Sequence, residues 1–170
     1  MKKILFFTSS RSDFGILSPL LKKFTMDKKF HVGLIISGTH LEKSFGSTEK
    51  EIKEHHYNKI FKIKIKNLGS NKISNSLDGL ASLISEVGNI INTEKPDLLF
   101  ILGDRQEIIL PAYCALLSNV PIAHIGGGDS TYGAIDNQIR HAVSQLSTYH
   151  FVTNKQAFNF LCDQKISKKN

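Results

Sequence analysis

"DLLFILGDRQEIILPAYCALLSNVPIAHIGGGD", residues 97–129, decides the fold. Residues 98–102 are apolar without alternation and stop at Gly103–Asp104, the pattern of a strand covered on both faces. "RQEIILPAYCALLSN" then reads as a helix interrupted by Pro111. "VPIAHI" returns as another buried strand and ends at Gly126, Gly127 and Gly128. Two buried strands joined through a helix call for a parallel crossover, because a hairpin needs only a short turn.

The same alternation continues in both directions. Upstream, "KILFFTS" is a buried strand, and Phe14, Leu17, Leu20, Leu21 and Phe24 then recur at helical spacing. Pro19 is expected in the first turn or two of that helix, where proline does least harm. "HVGLIISG" is a further buried strand, and "STEKEIKEHH" a short helix capped by Ser47 or Thr48. "KIFKIKI" alternates Lys with Ile, as a strand with one wet face does, and "SNSLDGLASLISEVGNIINTEKP" is an amphipathic helix ending before Pro96. Downstream come a helix in "AIDNQIRHAVSQLS", a short strand in "YHFVT" and a last helix capped by Asn154. The fold class expected is α/β: a Rossmann-like parallel sheet with helices on both faces. Residues 1–162 form one domain in this reading, and 163–170 a frayed polar tail.

Composition narrows the functions. A hydrophobic fraction of 41% with 11 Phe supports a packed core. The net charge of +7 comes largely from lysines at 59–72 and from Lys165, Lys168 and Lys169, with no basic stripe interleaved with aromatics, so an anionic small substrate fits better than nucleic acid. Cys114 and Cys162 suit neither a disulfide framework nor zinc. "MKKILFFTSS" is too short in its apolar run for a signal peptide, and no run approaches membrane-spanning length. The expectation is a cytoplasmic protein that binds neither nucleic acid nor membrane.

In an open α/β sheet, ligands gather beyond the carboxyl ends of the strands. Four such ends carry polar or glycine-rich segments here: "TSSRSD", "SGTH", "GDRQE" and "GGGDSTYG". Gly126, Gly127 and Gly128 allow close approach of a ligand to bare backbone, and a tight turn is the plainer use of them. Asp104 fits either a carboxylate in the crevice or a helix N-cap, and Arg105 either its partner or an exposed residue. Asp136 and Arg140, four apart on a helix, fit a surface ion pair or a phosphate- or carboxylate-holding site. Arg11 is a phosphate-binding candidate, and His124 reads as a hydrogen-bonded strand-end histidine. His55 and His56 lack metal spacing with a carboxylate, and no metal site is expected.

"TSSRSDFGILSPLLKK", "SGTHLEKSFGST", "GDRQEIILPA" and "IAHIGGGDSTYGAIDNQIRHAVSQLSTYHFVTN" together resemble the hydrolysing UDP-N-acetylglucosamine 2-epimerases of sialic-acid and related nonulosonic-acid pathways, over residues 2 to about 157. The resemblance implies the N-terminal half of a two-domain fold of the glycosyltransferase-B type, without its C-terminal domain. Alone, such a half is expected to be weak or inactive, and relatives are often homodimers. The implied substrate is UDP-N-acetylglucosamine or a related nucleotide sugar. UDP is eliminated to give a 2-acetamidoglucal, and water then adds with inversion at C2, without metal or redox cofactor. Carried over by motif, Asp104, Asp136 and Asp129 are acid/base candidates, while Arg11, Gly126, Gly127, Gly128, Arg140 and His141 bind substrate. Some relatives carry a glutamate implicated in catalysis where this chain has Gly126. The alternatives are a non-catalytic phosphate or nucleotide-sugar module and a glycosyltransferase N-terminal domain.

Overall fold

The computed structural model describes residues 1–42, 52, 57–66, 73–131 and 135–164. The expected helix at 47–56, with His55, His56 and its caps, lies outside the described residues except for Ile52, and so do residues 165–170 of the expected tail. Strands β1 (Lys2–Thr8), β2 (Phe30–Ile36), β3 (Lys59–Lys62), β4 (Leu98–Leu102), β5 (Ile122–Ile125) and β6 (Tyr149–Phe151) form one sheet in the order β3-β2-β1-β4-β5-β6. Every neighbouring pair is parallel. The helices are α1 (Arg11–Met26), α2 (Ile73–Glu94), α3 (Ile109–Leu117), α4 (Asp136–Leu146) and α5 (Lys155–Asp163). This is the α/β class the alternation called for.

The unbroken apolar runs have a direct physical reason. Successive side chains of a strand point to opposite faces, and both faces here are covered. Leu5 and Phe7 join Ile35, Leu99 and Ile101 against Leu83, Val87 and Ile91 of α2 and Ala112 and Ala115 of α3. Ile4 and Phe6 join Val32, Leu34, Ile36 and Phe100 against Phe14, Leu17 and Leu21 of α1, with Ile52 in the same cluster. Phe6 stacks on Phe100 at 4.6 Å between ring centroids, and Phe24 meets Phe6 edge-on at 5.7 Å. Strand β3 is the exception. It is an edge strand, largely exposed, and it ends at Lys62; Ile63 and Ile65 turn inward past its end.

Two expectations about proline are corrected. Helix α1 already begins at Arg11, with the Ser10 hydroxyl accepting from the Asp13 N–H at 3.3 Å, so Pro19 stands inside the helix. Nor does Pro111 interrupt a helix. A 3-10 turn, Gln106–Ile108, comes first, and α3 starts at Ile109. Pro111 thus falls in the first turn of α3, where its missing N–H has no helical acceptor to serve. The Asn154 cap is as expected: its Oδ1 accepts from the Ala157 N–H at 2.8 Å.

The order reverses between β1 and β4, the switch point at which open sheets of this kind hold ligands. Because all strands are parallel, the loops after β1, β2, β4, β5 and β6 share one edge. The prediction concerns the core that supports this edge. Phe6→Ala is expected to lower unfolding free energy by about 3–5 kcal/mol, measured by urea denaturation. Lys59→Ala, on the edge strand and paired with Glu94 through a half-exposed ammonium, is expected to change it by less than about 1 kcal/mol.

Candidate active site

The loops along this edge are tied to one another by named contacts. After β1, the Ser9 carbonyl accepts from the Thr39 N–H of the turn after β2 at 2.9 Å. The Thr8 hydroxyl meets His40 Nε2 at 3.0 Å. After β4, the Gly103 N–H donates to the Ile125 carbonyl at 2.9 Å. His124 is fully buried and joins both sides of that connection. Its Nε2 lies 2.8 Å from the Gly103 carbonyl and its Nδ1 3.1 Å from the Ser144 hydroxyl on α4. A carbonyl only accepts, so Nε2 carries the hydrogen and Nδ1 accepts from Ser144. Burial holds this imidazole neutral, its pKa down at about 4. The sequence reading of His124 as a hydrogen-bonded strand-end histidine therefore stands.

The glycines after β5 answer to the same histidine. A Cβ on Gly127 would stand 2.7 Å from the Ser144 hydroxyl and 2.9 Å from His124 Nδ1. A Cβ on Gly128 would strike the Ala157 carbonyl at 2.5 Å, and its φ is +80°. Gly126 also has φ +80°, with open space where a side chain would begin. Internal packing, which was neither of the two uses considered, accounts for Gly127 and Gly128. Only Gly126 combines the glycine backbone with an open side.

Asp104 pairs with Arg140: a carboxylate oxygen accepts from Nη2 of the guanidinium. The same Nη2 donates to the Thr131 hydroxyl at 3.1 Å. Asp104 is therefore no N-cap, and Arg105 is not its partner. Arg140 is 8% exposed, and its Nε and Nη1 have no hydrogen-bond partner among the described residues. Nor do Asp136 and Arg140 form the surface pair that their spacing allowed. Asp136 opens α4, where the helix dipole favours a carboxylate, and lies within electrostatic reach of Arg105. Arg11 opens α1 at the same edge and is exposed.

Asp129 and His141 go elsewhere. One Asp129 oxygen accepts from the Thr153 hydroxyl and the other from the Asn154 side-chain amide, each at 2.7 Å, which clips the loop after β5 to the cap of α5. The His141 ring stacks on Phe160 of α5 at 4.5 Å, and burial, then Arg140, lowers its pKa. The nine expected residues thus divide. Asp104, Asp136, Arg140, Arg11 and Gly126 line the strand-end edge, while Asp129, His141 and Gly128 anchor it to α5 and Gly127 packs beneath it.

Sequence reasoning missed a second group at this edge. Arg105 Nε donates to Glu107 Oε1 at 2.8 Å, and Glu107 is 1% exposed. Asp13 of α1 is buried, and burial pushes its carboxyl up; the Ser10 hydroxyl and Arg105 pull it down, and Glu107 pushes it up. His40 is buried too, its pKa lowered to about 4 by burial and then by Arg105. The signal for Asp13 was available: Ser10-Arg11-Ser12-Asp13 has the spacing of a capping box. Glu107 and His40 carry no comparable local mark. Among the described residues, no three His, Cys, Asp or Glu side chains gather to hold a metal ion, and no helix is long and apolar enough to cross a membrane.

A parallel sheet with its polar groups gathered at the switch-point edge defines an α/β domain of the open, doubly wound class, and comparison narrows the class. The sequence model described as UDP-N-acetylglucosamine 2-epimerase matches residues 22–170. A UDP-N-acetylglucosamine 2-epimerase of Neisseria meningitidis serogroup B is 34% identical over 99% of this chain and 44% of its own length. The GDP/UDP-N,N'-diacetylbacillosamine 2-epimerase (hydrolyzing) of Campylobacter jejuni is 35% identical over 91% of this chain and 40% of its own. The structure of a Neisseria meningitidis UDP-GlcNAc 2-epimerase bound to UDP-GlcNAc superimposes with a TM-score of 0.78 at 20% identity, over 98% of this chain and 44% of that one. The chain belongs to the UDP-N-acetylglucosamine 2-epimerase family. It spans less than half the length of the relatives it matches.

The buried histidines generate a prediction with a definite sign. Folded His124 titrates near 4, against about 6.5 for an unfolded histidine. Between those values the unfolded chain binds more protons, so stability is present at neutral pH and is lost as pH falls. From pH 6.5 to 5 the loss from His124 is expected to be about 2 kcal/mol. His124→Gln keeps a donor for the Gly103 carbonyl without the titration. Urea denaturation at both pH values is expected to show a flatter pH dependence for this variant than for the unsubstituted chain.

Proposed function

We propose that this chain is the N-terminal domain of a hydrolysing nucleotide-sugar 2-epimerase and supplies one wall of its cleft. The substrate proposed is UDP-N-acetylglucosamine or a close derivative. The single observation that carries the reading is the Asp104–Arg140 pair at the switch-point edge, with Asp136 opening the same helix one turn earlier. Two carboxylates from different segments, each facing a different arginine, suit a reaction that both removes and returns a proton.

The chemistry assigned to these groups balances as follows. A carboxylate takes the C2 proton, the electron pair forms a C1–C2 double bond, and the C1–oxygen bond breaks with UDP leaving as the anion. Water then adds its oxygen to C1, and a proton returns to C2 on the opposite face, which gives N-acetylmannosamine. Asp104, whose carboxylate accepts from a buried guanidinium, is assigned the base. Asp136, at a helix N-terminus, is the second proton-transfer group. Arg140 has already given Nη2 to Asp104. Its Nε and Nη1 suit oxygens of the substrate, and the exposed Arg11 suits the diphosphate. Asp129 shapes the loop through Thr153 and Asn154 and leaves proton transfer to Asp104 and Asp136. A second domain completes the cleft in this reading and carries the rest of the nucleotide contacts.

The test has two parts. UDP added to the isotope-labelled chain is expected to shift backbone amides at residues 9–13, 103–107, 126–131 and 136–141; a titration that leaves these segments unmoved overturns the binding role. In a two-domain enzyme carrying this domain, Asp104→Asn and Asp136→Asn are each expected to lower turnover of UDP-N-acetylglucosamine at least ~100-fold. Wild-type release of N-acetylmannosamine by both variants overturns the acid/base assignment.

A further inference from the structure

The switch-point edge holds a cation that the proton-transfer scheme leaves unused. Arg105 stands among carboxylates from three places: Glu107 on its own turn, Asp13 on α1 and Asp136 on α4. His40, from the turn after β2, faces it as well. Helix α3, which packs beside α4, brings only "ILPAYCALL" and no charge. A guanidinium surrounded by three acids is already over-neutralised and offers little to an anionic ligand. Its value lies in what it holds together. Two like charges about 5 Å apart repel by roughly 3 kcal/mol at an effective dielectric near 20. Carboxylates from α1, the β4 loop and α4 therefore resist standing close together unless a cation lies between them.

The ion pair beneath this group is fixed. Glu107 is 1% exposed and accepts the 2.8 Å bond from Arg105 Nε, whereas the Arg105 side chain is 39% exposed and reaches the rim. Asp104 precedes Arg105 in the chain. Anchoring Arg105 to Glu107 therefore also fixes the backbone from which Asp104 reaches Arg140.

We propose that Arg105, locked by the buried Glu107, is the positioning residue of this site: one cation that stands between the buried Asp13 and Asp136 at the opening of α4 and orients the loop that carries Asp104. The proposal rests on the epimerase reading for its consequence in catalysis, and on the ion-pair geometry for its existence. It assigns no contact between Arg105 and the reacting atoms.

Asp13 is the reporter, because it faces both members of the pair, together with the Ser9 and Ser10 hydroxyls of its own segment. Its carboxyl titration is followed by NMR in the ligand-free chain. Arg105→Gln leaves Glu107 uncompensated and is expected to raise the Asp13 midpoint by about one pH unit. Glu107→Gln removes a negative charge beside Asp13 and frees Arg105 from its bonded acid, and is expected to lower the midpoint by a similar amount. Arg105→Lys keeps the charge and stays near the unsubstituted chain, and the double Arg105→Gln, Glu107→Gln variant returns towards it. Shifts of opposite sign support the pair as an electrostatic brace, since a merely structural lesion moves the single variants alike. If Glu107→Gln does not fold, the comparison of Arg105→Gln with Arg105→Lys decides alone: a raised midpoint in the first only supports the proposal. Identical Asp13 titration in the unsubstituted chain, Arg105→Gln and Arg105→Lys overturns it. No nucleotide is present in this measurement, so its failure leaves the epimerase reading intact, and a failed UDP titration leaves the brace intact.

Discussion

The buried imidazole of His124 is the joint on which the strand-end edge depends. It donates to the Gly103 carbonyl at the end of β4 and accepts from Ser144 on α4, and so it connects the segment that carries Asp104 to the helix that carries Arg140. The Asp104–Arg140 pair spans the same two elements one layer nearer the solvent. Both contacts need the backbone after β5 to pass very close to the ring, which explains the bare Gly127. A side chain there would displace either His124 or Ser144, and the carboxylate above would lose its setting. The fold and the candidate chemistry thus share one small set of hydrogen bonds.

Most of the fold was legible because burial leaves a mark on sequence. Strands β1, β2, β4 and β5 are covered on both faces, so each reads as an unbroken apolar run, and α2 shows the stripe of a helix with one wet side. The Asn154 cap was legible for a local reason: its partner N–H is on Ala157, three residues on. The boundaries around Pro19 and Pro111 were less so. Proline restricts a helix but does not say where one begins, and the beginnings were set by the Ser10 cap and by the 3-10 turn before Ile109.

The candidate site was legible in its members and not in its pairings. Asp104, Asp136 and Arg140 stand out at strand and helix ends, but partners distant in sequence leave no periodic trace. Spacing along α4 suggested Asp136 with Arg140, and adjacency suggested Asp104 with Arg105. The sheet joined Asp104 to Arg140 and left Arg105 to Glu107. Asp129 shows the same limit. Its position after the glycines suggests proton transfer, while Thr153 and Asn154, which engage both its oxygens, lie beyond the intervening helix α4. Glu107 was the hardest to see, since a glutamate beside two isoleucines looks like any polar residue at the start of a helix.

Arg140 has a thermodynamic consequence of its own. Folding strips most of the water from its guanidinium and gives Nη2 two protein acceptors, while Nε and Nη1 have none among the described residues. The cost of dehydrating that cation is therefore met when the chain folds and not when a ligand arrives. An oxygen that reaches those two groups is met by donors already bare and aimed, and its binding is strengthened by what the fold gave up in stability.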